Sequence, residues 1–327
     1  MTLRPSLGAA VFVACVCEQT SARVSIVDWA KSGAFNGNDR RFGTIYACPM
    51  TTTRTLTAFN TATASENKIH DDTIASRFGF TGGLVPGVDV FAYLAHAPMK
   101  AWGKDWLSGG HMRARFYKPV YDGDPTTVTS AADGADGLTL ACSARGLACA
   151  EGTARRTGAA ARQTLLPVAE MPVLQTRPKA SMESLKIGST LGTLRETYTR
   201  EAGLQHIAAV RDEAALYDDG RIANAAWLLR RANYVLADNV LLGPWIHVES
   251  GIDMHGLLHE GEELEVRAVV ADNVDTKGHL MVTLDVQMLA GGRHIMTCEH
   301  LAIYEPRQVR ETHGHAPPTP SASRDRL

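Results

Sequence analysis

The chain has 327 residues and a formal net charge of −2, with 45% hydrophobic and 21% charged residues. That length allows two domains of ordinary size, and the composition is typical of soluble globular proteins. A charge so close to zero gives no electrostatic basis for binding nucleic acid or an anionic membrane surface, so neither is expected as a partner.

Residues 1–49 show no sustained hydrophobic periodicity and no motif. The apolar run from Leu7 to Val16 resembles a secretory signal, but it is too short to span a bilayer as a helix. Because Met50 stands just before the first domain-like segment, residues 1–49 are predicted to be a disordered leader or an over-extended start, and a cytoplasmic location is expected. The six cysteines lack C-x-x-C spacing, which predicts reduced thiols and no metal site.

The most informative segment lies in residues 50–160, the predicted N-terminal unit. Asn67 and His70 precede a glycine-rich turn at 79–87 and an apolar run that predicts a helix over Val88–Lys100. Histidine transfers protons near neutral pH, and free backbone N–H groups at a helix start stabilise a developing oxyanion. This order of features predicts a small acid/base site.

A half-buried antiparallel strand is predicted after this helix, because apolar and polar residues alternate from 112 to 117. Its outward face carries Arg113 and Arg115. The dipeptides Asp133-Gly134 and Asp136-Gly137 indicate a hairpin between the strands that follow.

Residues 179–306 repeat this order of features. His70 and His206 are 136 positions apart, as are His111 and His247, and a second apolar helix is predicted over Ala225–Leu242. One buried helix against a long, curved antiparallel sheet, occurring twice, is an α+β architecture. A proline-broken connector is predicted at 161–178 and a disordered tail at 307–327.

The run Ser65-Glu66-Asn67-Lys68-Ile69-His70, with Gly87 downstream, resembles the signature of MaoC-like (R)-specific enoyl-thioester hydratases and dehydratases. In that family the motif reads Asp-x-Asn-Pro-hydrophobic-His, followed by a His-Gly pair before the central helix. The block from Gly110 to Val120 resembles the strand that follows the family's helix. The resemblance implies a double hot-dog fold with the two units paired edge to edge, as a monomer or as a homodimer of the whole chain.

Three positions depart from the family pattern. Ser65 stands where the family has its catalytic Asp, Lys68 replaces the Pro, and Pro86 stands where the family usually has His. Ser65 could orient a water molecule, but it cannot accept a proton near pH 7. Glu66 is the adjacent substitute, although in an extended segment its side chain points away from that of Ser65.

The resemblance implies roles for the matching residues. His70 would exchange a proton with the water that adds to the enoyl double bond, with Asn67 beside it. The N–H of Gly87 would bond the thioester carbonyl.

Substrate binding is predicted at two places. One is the glycine-rich turn, with Gly83, Val85 and Pro86. The other is the strand after the helix, where Arg113, Arg115 and Lys118 could receive the phosphates of coenzyme A or the acidic face of an acyl carrier protein.

The second copy offers a weaker version of the site. Glu201 stands five residues before His206, in the register that Ser65 holds relative to His70, but Gly203 replaces the Asn. This copy is therefore predicted to be degenerate.

These residues favour an enzyme that hydrates 2-enoyl thioesters or dehydrates 3-hydroxyacyl thioesters, with no cofactor beyond the thioester's own carrier. A thioesterase with Glu66 or Glu201 as base or nucleophile is an alternative, and so is a non-catalytic subunit that binds acyl thioesters. The acyl chain length and the carrier stay open.

Overall fold

The computed structural model describes residues 51–77, 79–161 and 164–314, all within one compact unit. The predicted leader and residues 315–327 of the predicted tail lie outside the described residues. The first half comprises β1 (Thr51–Thr57), α1 (Asp72–Arg77), α2 (Gly87–Trp102), α3 (Lys104–Gly109), β2 (His111–Phe116), β3 (Pro125–Ala132), β4 (Gly137–Ala144) and β5 (Leu147–Arg155). The second half comprises β6 (Thr190–Thr197), α4 (Arg200–Ala209), α5 (Ala225–Asn239), β7 (Ile246–Met254), β8 (Glu263–Thr276), β9 (His279–Ala290), β10 (Arg293–Glu305) and α6 (Arg307–Gly314).

The ten strands form one antiparallel sheet in the order β1-β3-β4-β5-β2-β7-β10-β9-β8-β6. This order is symmetric about the boundary between β2 and β7, because each half contributes five strands in equivalent positions. The halves join through β2 and β7, with Met112 opposite Ile252 and Arg115 opposite Glu249. Edge-to-edge pairing of two similar units therefore occurs within a single chain.

Helices α2 and α5 pack against the sheet and against each other. Both carry the long apolar runs that the sequence predicted, and Phe91, Leu94 and Leu229 are almost completely buried. A buried ion pair ties the two helices together, because Asp89 of α2 accepts hydrogen bonds from Arg230 of α5 and from Thr61 Oγ1, the latter at 2.6 Å. The first turn of α2 is thereby linked to the middle of α5.

The predicted helices and strands are present, with small differences at their ends. The second helix ends at Asn239 instead of Leu242, because Val240 has extended backbone. Residues 307–314, at the start of the predicted tail, form α6, and the backbone N–H groups of Val309 and Arg310 donate to the carbonyl of Pro306. Within the described residues, no helix is both long and apolar enough to cross a membrane.

Candidate active site

A 3-10 helix over Lys68–His70 positions the two residues of the predicted acid/base site. Asn67 caps it, with Oδ1 accepting the backbone N–H of Ile69. The same amide reaches the second half of the chain: Nδ2 donates to the carbonyl of Trp245 at 3.0 Å, and Oδ1 accepts the N–H of Trp245 at 3.2 Å. Asn67 therefore holds the 3-10 helix against the loop that leads into β7.

His70 is held in one tautomer by the turn that follows it. Its Nδ1 lies 2.6 Å from the carbonyl oxygen of Leu84, which can only accept a hydrogen bond, so Nδ1 carries the proton. The lone pair of Nε2 then faces the Asn67 side chain, whose Nδ2 is 3.3 Å away. Burial lowers the pKa of His70, with Arg230 contributing in the same direction and the bond to Leu84 opposing. The imidazole is therefore neutral near pH 7 and available as a base.

Helix α2 begins beside this histidine. Its N-cap residue is Pro86, which supplies no side-chain cap, and no hydrogen bond to the N–H of Gly87 occurs among the described residues. A Cβ on residue 87 would lie 2.9 Å from Nδ1 of His247, so only glycine fits there without a shift of that ring. The free N–H at the first turn of a buried helix is a donor for a developing oxyanion.

A largely apolar cavity of about 260 Å³ connects these groups. Both halves of the chain line it, with the apolar wall formed by residues such as Ile69, Phe80, Val90, Phe116 and Ile303. The polar groups of the lining include His70, Asn67, Asn233 and His247. An apolar chamber with a few convergent polar groups suits an acyl chain with a reactive head.

A second chamber of about 220 Å³ shares Asn67, His70 and Pro86 with the first and is more polar. It is lined also by Arg230 and by Asp238 of α5. Burial raises the pKa of Asp238, and the positive charge of Arg177 partly offsets this rise. His70 thus lies between the apolar cavity and this second chamber, which is called the polar chamber because it contains Arg230 and Asp238, although most of its lining is apolar.

The structure brings together some of the predicted site residues. His70, Asn67, Val85, Pro86, Gly87 and Lys118 all line the apolar cavity. Ser65 and Glu66 line only the polar chamber. Ser65 Oγ donates to the carbonyl of Asn67 at 3.2 Å, and Glu66, which is 78% exposed, pairs with Arg177 at 3.0 Å.

Three predicted substrate-binding residues, Gly83, Arg113 and Arg115, line neither of these two chambers. Gly83 packs against the backbone of His70, where a Cβ would lie 2.1 Å from the carbonyl oxygen, so it shapes the loop. Arg113 and Arg115 project from the sheet face opposite the helices, and both pair with Glu249, Arg115 at 2.9 Å. Arg113 also pairs with Glu299 at 2.8 Å, so both guanidinium groups have carboxylate partners that the sequence gave no reason to place there.

The corresponding segment of the second half differs in local structure. Glu201 and His206 lie on α4, in place of a capped 3-10 helix. Glu201 is exposed, whereas burial lowers the pKa of His206 to about 3. This pair is separated from the apolar cavity, whose lining includes neither residue.

Several residues of the site come from the second half and were missed in the sequence. They are Asn233, Trp245, His247 and Asp238. The 136-residue spacing between His111 and His247 indicated an internal repeat, but it did not indicate that His247 lies at the site. His111 itself lies on the outer sheet face, where its Nδ1 is 2.9 Å from Asp253.

Comparison with known proteins gives matches in structure alone. No family model matches the sequence, and no curated protein matches it. A Chloroflexus aurantiacus protein described as a candidate MaoC-domain dehydratase is similar with a TM-score of 0.55 and 11% identity, over 80% of this chain and 96% of the other. A Mycobacterium tuberculosis protein described as having a double hot-dog fold is similar with a TM-score of 0.55 and 11% identity, over 79% of this chain and 96% of the other. The predicted α+β double hot-dog fold is therefore confirmed.

Proposed function

We propose that this protein acts on acyl thioesters, hydrating a 2-enoyl thioester or catalysing the reverse dehydration of a 3-hydroxyacyl thioester. The supporting observation is one arrangement: the neutral His70 and Gly87, whose N–H has no acceptor among the described residues, line the same apolar cavity, with Nε2 of His70 3.3 Å from Nδ2 of Asn67. The fold neighbour described as a dehydratase agrees with this reaction class.

The proposed hydration needs one base and one oxyanion donor. His70 Nε2 takes a proton from water as the water oxygen bonds to C3 of the enoyl group. The electrons of the double bond move into the thioester, and the N–H of Gly87 stabilises the enolate oxygen. The resulting imidazolium returns its proton to C2, so that H and OH have been added and the enzyme is regenerated.

We assign the two parts of the proposed substrate to the two chambers. The apolar cavity would hold the acyl chain, and the polar chamber would receive the thioester arm of coenzyme A or of an acyl carrier protein. No metal or further cofactor takes part in this scheme. The joined halves in one chain would replace the dimer that two separate units form, either as a monomer or as a homodimer of this chain.

The test is purified protein with crotonyl-coenzyme A, following the enoyl-thioester absorbance and free thiol in parallel. Hydration predicts loss of absorbance without thiol release, and a fall of about 10²–10⁴-fold in kcat for His70→Ala. His259→Ala is the matched control, since that histidine is exposed and lies outside both chambers. Thiol release would instead establish the thioesterase alternative, and binding of acyl thioesters without turnover would establish the non-catalytic one.

Ser65→Asp tests whether the family's missing carboxylate limits the rate. Position 65 lines the chamber that also contains His70, so a carboxylate there could share the proton of the attacking water. A gain in hydration indicates that Ser65 stands at the water position. An unchanged rate indicates that the water lies on the other side of His70.

A further inference from the structure

His247 is a histidine from the second half of the chain that reaches the site of the first half. It lies on β7, lines the apolar cavity and is only 6% exposed. Its ring packs between Phe116, at 4.8 Å between ring centroids, and His300, at 4.5 Å. The imidazole is therefore held in one place by aromatic contacts on both sides.

A β-bulge turns this side chain toward the cavity. Along β7, Glu249 pairs with Leu301 and His247 pairs with Ala302, so Val248 is an extra residue without a partner on β10. Strict alternation would place His247 on the outer face with Glu249. The extra residue reverses this, and His247 shares the helix-facing side with Ser250.

The other nitrogen of His247 belongs to a hydrogen-bonded chain. Nε2 lies 2.8 Å from Ser250 Oγ, and Ser250 Oγ lies 2.9 Å from Nδ1 of His300 on the neighbouring strand. Nδ1 of His247 and Nε2 of His300 have no partner within the part of the chain that the structure describes. When the hydroxyl proton of Ser250 is donated to one of the two imidazoles, this chain has two arrangements.

In the first arrangement, Nε2 of His247 donates to Ser250, and Ser250 donates to Nδ1 of His300. The N–H without an acceptor is then that of Nε2 of His300, which is fully buried. In the other, His300 donates to Ser250, Ser250 donates to Nε2 of His247, and the unpaired N–H falls on Nδ1 of His247. Both nitrogens are buried, but the second arrangement puts the unpaired N–H beside Gly87 in the wall of the apolar cavity, where the ligand oxygen would be its acceptor. Since buried N–H groups are rarely left without an acceptor, the second arrangement is favoured when a ligand is bound.

We propose that His247 is a second oxyanion donor of this site, its Nδ1–H bonding the thioester carbonyl oxygen together with the N–H of Gly87. The proposal rests on the proposed function. Ser250 and His300 are positioning residues that set the tautomer. Burial lowers the pKa of His247 well below its ordinary value, with His300 acting in the same direction, so the donor is a neutral imidazole. A neutral donor stabilises an enolate without requiring a buried charge in the free enzyme.

Two substitutions separate the two nitrogens of this histidine. The amide of Asn can place a donor at the position of Nδ1, whereas the amide of Gln reaches the position of Nε2 and keeps only the contact with Ser250. We expect His247→Gln to lower kcat by about 10²–10³-fold with little change in KM, and His247→Asn to stay within about tenfold of the parent. Equal losses in the two variants, with thermal unfolding unchanged, would overturn the proposal.

A second measurement does not depend on turnover. Nitrogen NMR of histidine-labelled protein reports which ring nitrogen of His247 is protonated, with butyryl-coenzyme A as the ligand and its thioether analogue, which lacks the carbonyl, as the control. We expect the Nδ1–H tautomer and a shift of that signal with butyryl-coenzyme A alone. The Nε2–H tautomer, or equal shifts with both ligands, overturns the role of His247 while leaving hydration intact. Absence of binding by either ligand overturns both proposals.

Discussion

Replacing Asn67 by Ala tests whether one amide holds the two halves of the site together. The substitution removes the cap of the 3-10 helix and both hydrogen bonds to the backbone of Trp245, which is buried. A lost cap costs about 1 kcal/mol and each lost hydrogen bond about 1 kcal/mol, so unfolding should become easier by about 2–4 kcal/mol. For a unit of this size, that corresponds to a fall in Tm of roughly 4–7 °C.

The assay is chemical denaturation at constant pH, with Asn67→Asp and Ser65→Ala as matched variants. Asn67→Asp keeps the acceptor for Ile69 and Trp245 but loses the donor, so an intermediate loss of stability is expected. Its carboxylate would also stand near Nε2 of His70 and raise the pKa of that histidine. Ser65→Ala removes one partly exposed hydrogen bond and should change stability by less than about 1 kcal/mol. A loss below about 0.5 kcal/mol for Asn67→Ala would refute the reasoning.

Four further predictions follow from the site. Gly87→Ala should destabilise the protein by about 1–3 kcal/mol and abolish turnover, because its methyl group meets the ring of His247; denaturation and the crotonyl-coenzyme A assay check both effects. Because burial lowers the pKa of His70, kcat/KM should stay constant from neutral pH to below pH 6.5 and decline only as the pH falls through the lowered pKa. A decline centred at or above pH 6.5 in the pH-rate profile would contradict this. The pKa of His206 is about 3 in the folded protein and near 6.5 in the unfolded chain, so the unfolded state binds the extra proton. Stability should therefore fall as the pH drops below 6.5, by up to about 1.4 kcal/mol per pH unit. His206→Asn should flatten this slope in denaturation measured between pH 7 and pH 5. Arg115→Gln should leave the KM for crotonyl-coenzyme A within about twofold, since the guanidinium pairs with Glu249 on the opposite face of the sheet, and a KM raised about tenfold would return Arg115 to the binding site.

Local patterns in the sequence were sufficient for the elements of the fold. Alternation over 112–117 predicted β2, and the apolar runs over 88–100 and 225–242 predicted α2 and α5. These patterns depend only on which face of a helix or strand is buried, so they can be recognised without knowing which elements pack against that face. The placement of His70 and Asn67 beside the start of α2 was likewise predictable, because all three lie within one short segment.

The remaining features of the site depend on contacts between distant parts of the chain. Arg113 and Arg115 were correctly placed on the outward face of their strand, but Glu249, which pairs with both, lies on a strand of the other half. His247 faces the cavity only because of the extra residue at Val248, and a bulge of this kind leaves no mark in a hydrophobic pattern.

The most direct test of the central claim is turnover of crotonyl-coenzyme A in water enriched in oxygen-18, with the position of the label found by mass spectrometry. Hydration at the cavity of His70 predicts one labelled oxygen on C3 of a 3-hydroxybutyryl thioester that is still joined to coenzyme A, and no such product from His70→Ala. Label in a free carboxylate, or labelled 3-hydroxybutyryl thioester formed equally by the variant, would contradict it.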